Sequence, residues 1–131
     1  MRLCRTVWMC LLLAPMILVG CSSDSATPPP ATHPVMGKLL DKRGQPITQG
    51  MIEFAATGGA ANNATGEIRP DGSFSLQTMN AAGTKFNGAE AGKYRVTYYP
   101  PLSETQAEVP ISLRKLQTVA AGDNDLTIKL E

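Results

Sequence analysis

The chain has 131 residues, with 12 Lys plus Arg against 11 Asp plus Glu, so its formal charge is +1 and no basic surplus draws it onto a phosphate backbone. That length holds one domain of ordinary size and hardly a second. Gly (12) and Pro (10) exceed their usual share while only 5% of residues are aromatic, a balance that favours turns and short strands over long helices.

Arg2 and Arg5 precede an apolar run from Val7 to Val19 that contains Pro15, the order of a secretory signal. Polar residues resume at Ser22, too soon for the roughly 20 apolar residues that a membrane span needs. The run ends in Leu18-Val19-Gly20-Cys21, which resembles the bacterial lipobox: small residues admit the chain to a peptidase, and the thiol of the cysteine that follows accepts diacylglycerol. Residues 1–20 are therefore expected to be a lipoprotein signal peptide, with Cys21 as the lipidation site and first residue of the mature chain. Cys4 and Cys10 leave with the signal and Cys21 is acylated, so no disulfide is expected although an exported domain could carry one. Residues 21–33 then read as a Pro-rich tether through Pro28-Pro29-Pro30 to His33. Ser22, where an Asp would suggest retention at the inner membrane, resembles the pattern that leaves sorting to the outer membrane open, so the outer membrane or the periplasmic face is expected ahead of the inner membrane.

From Val35 onward the apolar period is two. Val35, Gly37 and Leu39 alternate with Met36 and Lys38, and Asp41 to Pro46 supply a charged turn. Ile52 and Phe54 flank Glu53, and a Gly, Ala and Asn-rich loop covers residues 57–63. Ile68 leads through Pro70-Asp71-Gly72 to Phe74 and Leu76, which predicts a hairpin. Gly92 to Tyr99 alternate until Pro100-Pro101, and Leu126 to Leu130 form the last strand. Residues 80–91 and 100–120 carry less pattern, with a short helical turn expected over Ser112 to Thr118. The predicted fold is all-β, a seven-stranded antiparallel sandwich over residues 34–131. Its core is expected to hold Val35, Leu39, Ile52, Phe54, Ile68, Phe74, Leu76, Tyr94, Val96, Tyr98, Leu126, Ile128 and Leu130.

The series Val35-x-Gly37-x-Leu39, Gly44-Gln45-Pro46-Ile47, Gly50-Met51-Ile52-Glu53-Phe54, Pro70-Asp71-Gly72-Ser73-Phe74, Ala91-Gly92-Lys93-Tyr94 and Gly122-Asp123-Asn124-Asp125-Leu126 resembles the carboxypeptidase regulatory-like, or transthyretin-like, domain. In particular it is similar to small bacterial lipoproteins built from one such domain. The resemblance spans about Pro34 to Glu131 and rests on turn glycines and core alternation. It implies a prealbumin-like (Ig-like) sandwich and no catalytic chemistry. Such lipoproteins often carry a Pro-x-x-Tyr between the positions of Leu102 and Thr118, where this chain has Val109-Pro110-Ile111-Ser112.

Residue chemistry points the same way. His33 is the sole histidine and sits at the end of the tether, where nothing fixes a second group beside it, so it reads as a solvated residue. A histidine on a tether is not held for a Ser-His-Asp device, and one histidine cannot supply a two-His iron site. Among carboxylates, Glu53, Glu67 and Asp71 could be weighed as an acid/base pair, but Glu53 faces solvent by parity and Asp71 is a turn residue. Asp123-Asn124-Asp125 opens like a calcium loop yet lacks its glycine and closing glutamate, and reads as a turn. Lys38 and Asn124 lie on the first and last strands, as an isopeptide pair would, but Lys38 has the outward parity. Asn63-Ala64-Thr65 matches a glycosylation acceptor, which a bacterial lipobox makes uninformative.

The expectation is a non-enzymatic protein with no catalytic residue, no metal site and no cofactor, anchored in the cell envelope by lipid on Cys21. Its domain would be a monomeric structural or protein-interaction module, with an envelope protein as partner and no nucleic acid. The alternative is a carbohydrate or small-ligand module, for which Tyr99 is the candidate stacking residue because the only tryptophan, Trp8, leaves with the signal.

Overall fold

The structure, a computed structural model, describes residues 28–102 and 109–131. The expected signal peptide, Cys21 and the tether as far as residue 27 lie outside the described residues.

Among the described residues the chain forms twelve strands and no helix: β1 (Thr32–His33), β2 (Val35–Leu40), β3 (Met51–Gly58), β4 (Ala64–Glu67), β5 (Ser73–Ser75), β6 (Gln77–Met79), β7 (Lys85–Asn87), β8 (Ala89–Glu90), β9 (Gly92–Tyr99), β10 (Ile111–Ser112), β11 (Gln117–Val119) and β12 (Asn124–Lys129). The largest sheet has the order β10-β9-β3-β4-β6-β7, with β11 also on β9. A second has the order β12-β2-β5, and β1 pairs with β8. Phe54 of β3 packs on Phe74 of β5 across the two larger sheets, ring centroids 6.2 Å apart, and on Tyr94 of β9 at 5.8 Å. One core is thus enclosed between two sheets, a sandwich-like all-β fold.

The alternation places the core as expected, with one exception. Twelve of the thirteen expected residues are buried, whereas Leu126 is half-buried, packed against the core. Ala64, Ala89, Val119 and Thr78 complete the interior. The Thr78 hydroxyl is satisfied by donating to the Gly88 carbonyl at 2.8 Å. The Tyr94 hydroxyl donates to the Glu90 carbonyl four residues upstream at 2.8 Å, fixing the entry to β9. Burial, and then the charge of Glu90, push this phenol up to about 12.

Three turns share one construction. In 41–45, 69–73 and 80–84 the first residue's N–H reaches the fifth carbonyl (2.8, 2.8 and 3.0 Å), and the fourth residue's N–H returns to the first carbonyl. The fourth residue is Gly44, Gly72 or Gly83, with φ of 85°, 79° and 80°, a region in which a Cβ is strained. In two of them the first residue's side chain adds a second lock: Asp41 Oδ1 accepts from the N–H groups of Arg43 and Gln45, and Asn80 Oδ1 from those of Ala82 and Thr84.

Four expectations are corrected. The Pro70-Asp71-Gly72 turn forms, but its flanks are not a hairpin, since β4 stays beside β3 while β5 pairs with β2. Leu76 explains this: fully buried, it donates to the Val35 carbonyl and accepts from the Gly88 N–H, so the chain changes sheets there and rejoins β4 as β6. Second, the fold is not purely antiparallel. β12 runs parallel to β2 from Asn124↔Val35 to Lys129↔Leu40, the rest of the domain serving as the long crossover that parallel partners need. Third, Ser112 to Thr118 is no helical turn, because the edge of β9 captures β10 and β11 and the Leu113 N–H reaches the Val96 carbonyl. Fourth, Thr32 and His33 belong to the sheet structure, paired with Glu90 and Ala89.

Candidate functional site

The outer face of the large sheet carries a run of polar side chains. Its cross-strand register sets Ser112, Thr97, Glu53, Thr65, Gln77 and Asn87 in one row across six strands. The hydroxyls of Thr97 and Ser112 lie 2.8 Å apart. Tyr99 sits one ladder step away, opposite Met51, and its hydroxyl crosses diagonally to donate to Glu53 Oε2 at 2.8 Å. That hydrogen bond, then the charge of Glu53, raise the Tyr99 phenol above its ordinary value, so it stays a neutral donor.

Two grooves flank this region and share Met51. A polar one of about 560 Å³ opens where the chain leaves β4 of the large sheet for β5, and is lined by Thr65, Glu67, Arg69, Gln77 and Lys85. An apolar one of about 410 Å³ is lined by Gly50, Tyr99, Pro100, Pro101, Leu102 and Pro110. Of Val109-Pro110-Ile111-Ser112, where the resemblance leads one to look for a tyrosine, Pro110 lines the apolar groove beside Tyr99 and Ile111-Ser112 form β10.

The remaining candidates are not brought together. Glu53 is held by Tyr99 and, at 3.5 Å, by the Asn63 amide, whereas Asp71 Oδ1 accepts from both the Ser73 hydroxyl (2.6 Å) and the Ser73 N–H (3.0 Å). Glu67 stands in the polar groove, away from both. Lys38 pairs in register with Thr127, three positions from the Val35 that pairs with Asn124. The Asn124 amide itself closes the last turn, donating to the Ala120 and Gly122 carbonyls while Oδ1 accepts from the Ala120 N–H. Asp123 and Asp125 are exposed, and among the described residues no three His, Cys, Asp or Glu are grouped to hold a metal. His33 is not a free solvated residue: Nδ1 accepts from the Gly122 N–H at 3.1 Å, tying β1 to the last turn.

Asp71 offers a local test of this geometry. The Ser73 hydroxyl, followed by its N–H, holds the carboxyl below the usual aspartate range. Such a group stabilises the fold above its unfolded pKa, and that contribution is lost as pH falls through the lower folded value. In an NMR titration the Asp71 carboxyl is expected to titrate low, and Ser73→Ala to move it upward. An unchanged midpoint in Ser73→Ala would show that the turn is built otherwise.

One contact had no signal in the sequence. Glu90 receives the N–H groups of Ala61 (2.6 Å) and Asn62 (3.1 Å) and the Asn62 amide, pinning the loop between β3 and β4. The partners are nearly thirty positions apart, and only the folded sheet makes them neighbours. Comparison with family models, curated proteins and solved structures finds no match to this chain.

Proposed function

We propose that the protein is a non-enzymatic, lipid-anchored component of a bacterial cell envelope, at the outer membrane or periplasmic face. Its domain would be a structural or protein-interaction module of the carboxypeptidase regulatory-like, transthyretin-like kind. The observation that carries the reading is the order Arg2, Arg5, apolar run, Leu18-Val19-Gly20-Cys21, followed by only ten residues before the first strand opens at Thr32. The position of β2 between β12 and β5, and of β3 between β4 and β9, supports the domain type. The polar side chains support the non-enzymatic part, since Asp41, Asp71, Glu90 and Asn124 each close a turn or hold a loop.

Cys21→Ser is expected to leave unprocessed precursor and to remove labelled fatty acid from the protein, because one thiol carries the whole anchor. Label still entering the Cys21→Ser chain would overturn the lipobox reading. A second reading, a glycan or small-ligand module, is favoured by Tyr99, which stands between the polar row and the apolar groove. A rise in melting temperature on adding an envelope polysaccharide would select it.

A further inference from the structure

The exposed edge of β12 has a property that the other edges lack. It is six residues long, regular in register and free of proline, whereas β5 and β7, at the ends of their sheets, have three residues each and β10 has two. The N–H groups of Asn124 and Leu130 reach the Pro34 and Leu40 carbonyls of the β2 side. The even-numbered amides therefore point inward along the sheet, and those of Asp125, Thr127 and Lys129 point outward. Among the described residues no strand pairs with that side. Edges of this kind are usually blunted by lysine, proline or a bulge, because they template pairing with another strand.

We propose that this edge is the interface for a second copy of the chain, joined antiparallel about a two-fold axis at Thr127. In that register Thr127 faces its own copy, Asp125 faces Lys129 and Lys129 faces Asp125. These are the residues with outward amides, so each pair exchanges both N–H···O bonds and six new bonds form. Lys129, which opposite itself would repel, is neutralised by the carboxylate across the seam. On the inner face Leu126 meets Ile128 of the other copy, covering the side chain that the single copy leaves half-buried. A slip of two residues one way sets Asp125 against Glu131; the other way sets Asp125 against Thr127 and Lys129 against Asp123, which lies outside β12, so only the axis at Thr127 pairs both charges of the strand with each other. The two β12-β2-β5 sheets become one sheet of six strands, in place of the monomer that the sequence suggested. This proposal does not depend on the lipid anchor.

The full-length chain in detergent, followed by sedimentation equilibrium, tests it. A monomer–dimer equilibrium is expected. Asp125→Lys and Lys129→Asp are expected each to weaken dimerisation at least tenfold, and Asp125→Lys/Lys129→Asp together to restore it to within about threefold, since the swap recreates both pairs. Both residues are exposed and four positions apart on one strand, so the rescue reads contacts between copies and not within one. A monomer at every concentration, a dimer indifferent to the single changes, or a double variant weaker than either single one would each overturn the proposal. Fatty-acid labelling of the same preparations reports the anchor separately.

Discussion

Phe74→Ala is expected to lower the free energy of unfolding by about 3–5 kcal/mol, a large share of the roughly 5–15 kcal/mol typical of one domain. The ring is fully buried, spans the gap between the sheets to reach Phe54, and lies over Gly37, which has no side chain with which to fill the space. Ser75→Ala, one position on, removes a half-buried hydroxyl of opposite parity and is expected to change stability by about 0.5 kcal/mol or less. Urea unfolding of the two variants gives the contrast directly. Comparable losses at both positions, or a larger one at Ser75, would mean that the alternation of β5 is misread.

Gly37→Ala is expected to cost about 3 kcal/mol, at the upper end of the usual penalty for overfilling a core. A Cβ there would overlap the Leu126 carbonyl oxygen and lie 2.6 Å from Phe74 Cζ. The carbonyl belongs to the β2–β12 ladder and cannot rotate away, so the parallel pairing must shift to admit even one methyl. Phe74→Ala removes only the ring from this conflict. The double variant is therefore expected to be more stable than the sum of the single losses, by roughly 1 kcal/mol, with the backbone overlap still costing the rest. Strict additivity would show that Gly37 and Phe74 do not share the space described.

What the sequence made legible was parity and punctuation. The period of two identified nearly the whole core, because inward residues must be apolar wherever one face of a strand is buried. Asp41-Lys42-Arg43-Gly44 and Pro70-Asp71-Gly72 marked turns through their own local hydrogen bonds. Partnership was far less legible. Nothing local to Pro70-Asp71-Gly72 indicates that β5 leaves β4 for β2; that choice is made at Leu76 by hydrogen bonds to Val35 and Gly88. Nor do Gln117 to Val119 carry a strong strand pattern, since what makes them a strand is the edge of β9. Leu126 passed every test of an apolar inward position, yet it is only half-buried while Ile128, two residues on, is fully buried.

The candidate site divides in the same way. Tyr99 was visible from its parity opposite Tyr98, but its hydrogen bond to Glu53 depends on the β3–β9 register. The row from Ser112 to Asn87 needs six strands to be ordered before it exists. His33 was misread as solvated because its partner, the Gly122 N–H, is 89 positions away.

The central claim, that this domain is carried on a lipidated cysteine, is tested most directly by mass spectrometry of the N-terminal peptide of the protein purified from its native host. The expected peptide begins at Cys21, lacks residues 1–20 and bears a diacylglycerol mass on that residue. A peptide that begins at Met1, or at any residue beyond Cys21, or at an unmodified Cys21, would contradict it.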